Sequence, residues 1–186
     1  MIRIENLSEI YNWHNTGLIT PYIEQNWCSN RAEFNGRLAS YFKILQNQFS
    51  EDCSYLVLSS LGEIGNNCFD HNLGYWQGPP GCLFIRQNKY ALIADRGQGI
   101  KSSLSRVIDF SKETTSALEI AYSRVVTGRA PERRGNGLKF VKKNINQCKV
   151  SLAVASDSET ISFGPANTDI QINNLKKPGV FSLMSW

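Results

Sequence analysis

Between residues 54 and 71 the chain carries two helical stripes at once, and this limits the folds open to it more than any other feature. Val57, Leu61, Ile64 and Cys68 recur at helical spacing and form one apolar face. Glu63, Asn67 and His71 stand four residues apart, so each step advances about 40° and all three share a polar face beside the first. Such a helix lies with one side in a core and its polar edge at the rim of a cleft. That edge suits a magnesium-nucleotide site, because Asn67 can offer an amide oxygen to Mg2+ and Glu63 can accept a proton from water. The bland reading of the same triplet is a solvated helix face. Gly62 and Gly65 inside the helix each cost about 1 kcal/mol relative to alanine, which implies a close approach by another backbone or a ligand.

The elements around this helix predict an α+β fold. Residues 29–49 read as a helix with Ser29 as N-cap and Phe34, Leu38, Tyr41, Phe42 and Leu45 on one face. Ahead of it come a short strand at 2–4, a helical turn or two at 7–14 and a break at Pro21. Asn72 and Gly74 close the central helix, and a Gly-Pro-Pro-Gly loop at 78–81 leads to strands at 82–86 and 90–94. Helices follow at 100–110 and 115–125, then a mobile surface loop at 127–136, a helix at 137–147, and strands at 149–155, 160–163 and 180–185. The order favours a two-layer α/β sandwich, a mixed sheet covered on one face by helices. With 186 residues and no internal repeat, the chain reads as one domain at 51–186 with an N-terminal helical extension, residues 1–50, packed on it.

Composition narrows the class. Hydrophobic residues make up 41% and charged residues 19%, a globular rather than disordered balance. No apolar run is long enough to span a membrane, and the first residues lack a signal-peptide core, so a cytoplasmic protein without a membrane partner is expected. The five cysteines sit at no metal-binding spacing and read as reduced, buried thiols. Positive charge is local: eight basic residues and one acid lie between Arg124 and Lys149, leaving the rest of the chain net acidic. Something anionic should meet that segment, either phosphates or a nucleic acid. Only Phe140 is interleaved there, so stacking on nucleic acid is disfavoured.

Two further motifs follow the helix. Asp95-Arg96-Gly97-Gln98-Gly99-Ile100 sets a carboxylate at the end of an apolar strand, where it can accept a hydrogen bond from an exocyclic amine such as adenine's. The two glycines give a ligand access to the main chain. The plain alternative is an acid capping a turn. Arg133-Arg134-Gly135-Asn136-Gly137-Leu138 opens a helix with glycine and arginine, a ready phosphate cradle or else a solvated basic loop. No Walker A sequence is present, so a P-loop mechanism is excluded.

In order and spacing these three strings resemble the N, G1 and G2 boxes of the Bergerat-fold (GHKL) ATPases, the superfamily of histidine kinase catalytic domains and anti-sigma factor kinases. The resemblance covers roughly residues 53–163. It implies ATP and Mg2+ as cofactors, with Glu63 as catalytic base, Asn67 as metal ligand and His71 near the phosphates. Asp95 would bind adenine, while Gly97, Gly99, Ile100, Gly135, Gly137 and Leu138 shape the pocket under a lid at 127–136. Arg133 and Arg134 are added as phosphate contacts from charge and position. The family commonly ends in Gly-Thr-x-Phe, but Gly179-Val180-Phe181 offers no hydroxyl, and Thr160 is the candidate substitute. His14 lies in no phosphoacceptor helix and reads as structural. The expected function is therefore Mg-ATP binding under a mobile lid, with hydrolysis or phosphate transfer to a partner protein. The alternative is a nucleotide-gated interaction module with little turnover.

Overall fold

The computed structural model describes residues 5–124, 137–165, 175 and 177–186. Six strands form its frame: β1 (Trp27–Cys28), β2 (Cys82–Arg86), β3 (Tyr90–Asp95), β4 (Ser151–Ser156), β5 (Glu159–Phe163) and β6 (Val180–Ser185). They lie in the order β1-β2-β3-β6-β4-β5. Every pairing is antiparallel, which corrects the expected mixed sheet. The reason is topological. β2–β3 and β4–β5 are hairpins, and β6 returns between β3 and β4 antiparallel to both, so no two neighbours need the crossover that a parallel pair requires.

Among the described residues seven helices accompany the sheet: α1 (Leu7–Thr16), α2 (Pro21–Asn26), α3 (Arg31–Gln46), α4 (Glu51–His71), α5 (Ile100–Leu104), α6 (Ala117–Ser123) and α7 (Gly137–Cys148). They cover both faces, not one. Cys82, Phe84, Ala91, Ile93, Leu152, Val154 and Met184 pack with α3, α4, α6 and α7. Leu83, Ile85, Leu92, Ala94, Ala153, Phe181 and Leu183 point the other way and pack with Ile10, Tyr11 and Trp13 of α1 and Ile23 of α2. The inner strands are apolar at successive positions, the pattern of a sheet buried on both sides rather than one.

Local chemistry explains where several boundaries moved. Pro21 does not break the chain but opens α2 at its first position, with Thr20 capping the Ile23 N–H. Asn30, not Ser29, caps α3, while the Ser29 N–H and hydroxyl both donate to the Glu33 carboxylate from one position outside. The helix expected over 100–110 stops at Leu104, and Val107 beyond it is half exposed. Ile2 to Ile4 fall outside the described residues.

Helix α4 is the axis of the larger layer. Its central glycines are filled by α3: a Cβ at Gly65 would collide with the Phe34 ring, and one at Gly62 would lie 3.3 Å from Leu38. Helix α7 runs antiparallel along the other flank. Asn144 Nδ2 donates to Ser60 Oγ at 3.0 Å and to the Leu56 carbonyl at 3.3 Å, and Cys53 and Cys148 are joined in a disulfide with Cα atoms 5.5 Å apart. That bond corrects the reading of all five cysteines as thiols; Cys28, Cys68 and Cys82 are free and buried. Among the described residues no helix is long and apolar enough to cross a membrane.

Candidate functional site

Opposed residues across the sheet place the acid at the end of β3. The row Cys28, Cys82, Asp95, Val180, Ser156 and Glu159 runs across all six strands, and opposed residues share a face. This is the α4 face, so Asp95 points toward the end of that helix. Its carboxylate is 1% exposed. Oδ1 accepts the Gly97 N–H at 2.8 Å and Asn72 Nδ2 at 3.0 Å. Burial pushes the carboxyl pKa up to about 6, opposed by the donors around it: the Gly97 N–H, the Cys68 thiol, the Asn72 amide and the Val180 N–H.

Two side-chain amides clasp the Asp95–Gly99 turn to α4. Asn72, the first residue past the helix, donates to the Cys68 carbonyl at 2.9 Å and to Asp95, and its Oδ1 accepts the Gln98 N–H at 3.1 Å. Gln98 returns the contact by donating to the His71 carbonyl, while its Oε1 accepts Arg106 Nη2 at 3.0 Å. The glycines of the turn serve this clasp. A Cβ at Gly97 would collide with the Asn72 amide, and one at Gly99, where φ is 79°, would lie 2.6 Å from Asp157 Oδ1. The expectation that these glycines leave main chain open to a ligand gives way to packing by protein side chains.

Further along α4, Glu63 is exposed and its Oε2 rests where a Cβ of Gly137 would be, so the carboxylate lies against the start of α7. Asn67 is half-buried, and His71 is exposed with Nδ1 3.3 Å from Ser103 Oγ. Eight residues of helix put Glu63 and His71 about 12 Å apart along the axis. Leu138 and Ile100 are partly buried against the main core. The Ile100 N–H donates to Ser156 Oγ at 2.8 Å, and Ser156 donates to the Gly179 carbonyl at 3.0 Å. The neighbouring Asn66 has its Oδ1 shielded from solvent without a hydrogen-bond partner.

Thr160 does not belong to this group. Ser156 pairs with Glu159 across the hairpin, so Thr160 faces Ala155 on the opposite side of the sheet and is exposed, three strands from Asp95. The hydroxyl on Asp95's own row is Ser156. Arg133, Arg134 and Gly135, with the loop at 127–136, lie outside the described residues. Of the basic segment, Arg124 pairs with Glu113 at 2.8 Å and Lys142 sits 5.1 Å over the Phe163 ring.

Sequence reasoning assigns no site role to Asn72, Gln98, Ser156 or Asp157. Asn72 shows in the sequence only as a helix terminator. Asp157 sits at φ 57° in the two-residue turn between β4 and β5; an Asp-Ser pair between apolar runs is a hairpin signal that would have set the register and excluded Thr160. Behind the turn, Arg96 Nε donates to the His14 carbonyl at 3.0 Å, tying α1 to the same segment. No protein-family model matches the chain, and no curated protein and no solved structure is significantly similar to it.

Proposed function

We propose that this chain is an ATP-binding protein of the Bergerat type, which binds Mg-ATP and hydrolyses it or passes its terminal phosphoryl group to a partner protein. One observation carries the reading. The Asp95–Gly99 turn is clasped at the C-terminal end of α4, and Gly137 at the start of α7 lies against Glu63 two turns earlier, so described parts of two distant strings meet the helix that carries the first. A nucleotide laid along α4 would set its base at Asp95 and its phosphates by Asn67 and the first N–H groups of α7, where the helix dipole favours negative charge.

Each residue then has a definite task. Asp95, when ionised, accepts the base's amino group. Asn67 would offer its amide oxygen to Mg2+, with phosphate oxygens and water filling the remaining positions, an arrangement typical of this ion. Among the described residues no group of three or more His, Cys, Asp or Glu is placed to hold a metal, and a cation held through phosphates needs none. Bound there, the cation would screen phosphate charge. Glu63 would take the proton from the attacking water or acceptor hydroxyl.

The test compares nucleotide affinity with ADP release at saturating ATP. Glu63→Ala should keep its affinity and lose roughly 10²-fold or more in turnover, while Asn67→Ala should lose Mg2+-dependent affinity and turnover together. Full turnover in Glu63→Ala would remove this helix face from the chemistry. The position of Glu63 against Gly137 favours a second reading, in which nucleotide binding shifts α7 and signals to a protein without hydrolysis. Absence of ADP release from wild type with its partner present would select it.

A further inference from the structure

Asp95 is enclosed before any ligand arrives. Two donors already bond its Oδ1, the Gly97 N–H at 2.8 Å and Asn72 Nδ2 at 3.0 Å. Each oxygen of an ionised carboxylate offers about two lone-pair positions, so an incoming amine finds Oδ1 fully engaged. One of the two, the Gly97 N–H, is main chain and is held by the turn itself. The Asn72 amide is different. It belongs to the residue just past the end of α4, where a side chain can turn without unwinding the helix, and the residues after it are exposed.

We propose that Asn72 is a latch on the base-binding carboxylate: its Nδ2 holds the place of an exocyclic amino group, and a nucleotide carrying that group enters by displacing it. The inference rests on the reading of Asp95 as the base acceptor. Orientation of the amide supports it. The Gln98 N–H fixes Oδ1 and the Cys68 carbonyl holds Nδ2, so only the donor side of Asn72 can face Asp95. Gly97 is required for the closed position, since any Cβ there would strike the amide. Displacement frees the Gln98 N–H as well, so entry of the base also loosens the turn from α4. The titratable and charged groups around Asp95 are Cys68 on α4, Cys82 on β2, and His14 with Arg96 on the far side of the turn.

The latch makes an expectation of opposite sign to a purely structural role. A hydrogen bond to a charged group that must break on binding lowers affinity, so Asn72→Ala should melt at lower temperature yet bind Mg-ATP about tenfold more tightly. Asn72→Ser, whose hydroxyl is too short to reach Asp95, provides the same comparison where the alanine variant folds poorly. In wild type, the Asn72 side-chain amide signal in a 15N spectrum should shift and lose its protection from solvent exchange as ATP is added. Equal or weaker ATP binding by both variants, or an Asn72 signal that ATP leaves in place, would overturn the latch. If wild type and both variants all fail to bind Mg-ATP, the base-site reading falls and the latch with it; if wild type binds and the variants do not improve, only the latch falls.

Discussion

At the end of β3 two titratable groups are buried back to back with opposite responses to acid. His14 is fully buried, and neither ring nitrogen has a hydrogen-bond partner. Burial, reinforced by the charge of Arg96, lowers its pKa from 6.5 to about 4. As pH falls below 6.5 the unfolded chain therefore takes up this proton first, and stability is lost until about pH 4. Asp95 works the other way. Its pKa is raised from 3.8 to about 6, so the folded protein takes up the proton first and gains stability as pH falls through that window. Each contribution is on the order of 3 kcal/mol, and between pH 4 and 6 they oppose each other. Denaturant unfolding from pH 7 to 4 should show Asp95→Asn losing stability on acidification and His14→Leu gaining it, with wild type between them. Profiles parallel to wild type in both variants would refute the burial argument.

The packing of α4 separates structural from functional glycines. Gly65→Ala should cost about 1–3 kcal/mol through collision with the Phe34 ring. Much of that cost should disappear when Phe34 is trimmed in the same molecule, a coupling measurable by a double-mutant cycle. An unchanged cost in the Phe34→Ala background would point to an unfilled role for Gly65. On the opposite flank, the Cys53–Cys148 bond spans 95 residues, and a loop of that size corresponds to about 4–5 kcal/mol in the chain-entropy account. Dithiothreitol should lower the melting temperature of wild type to that of Cys148→Ser and leave the variant unmoved. Equal melting with and without reductant would mean the bond contributes no stability.

These helices also show what the sequence could carry. The stripe of Val57, Leu61, Ile64 and Cys68 placed α4 correctly because each buried side chain repeats at helical spacing. The same periodicity could not say that Gly62 and Gly65 receive α3, because packing partners depend on tertiary arrangement. Nor could it pair Cys53 with Cys148, whose proximity exists only once α7 lies antiparallel on α4. The second helical layer was legible in principle, in the unbroken apolar runs of β2, β3 and β4. Element order, from which covering on one face is expected, does not say on which face each helix packs.

Across the whole molecule, chain order and spatial order diverge in a way that decides the functional account. Asn72, Asp95 and Gln98 meet through two hydrogen bonds, although only Asp95 stands out by its motif; the other two are amides whose role depends on what faces them. Glu63 and Gly137 are neighbours across 74 positions of sequence, and α7 begins inside the basic segment between Arg124 and Lys149. A base end at Asp95 and a phosphate end at α7, joined by one helix, is the account's central claim. Isothermal titration of Mg-ATP into wild type and Asp95→Ala, at pH 7.5 and in reductant-free buffer, tests it most directly. The expected result is saturable one-to-one binding to wild type and its loss in Asp95→Ala, with both proteins folded by circular dichroism. Equal binding by the two, or none by either, would contradict the claim.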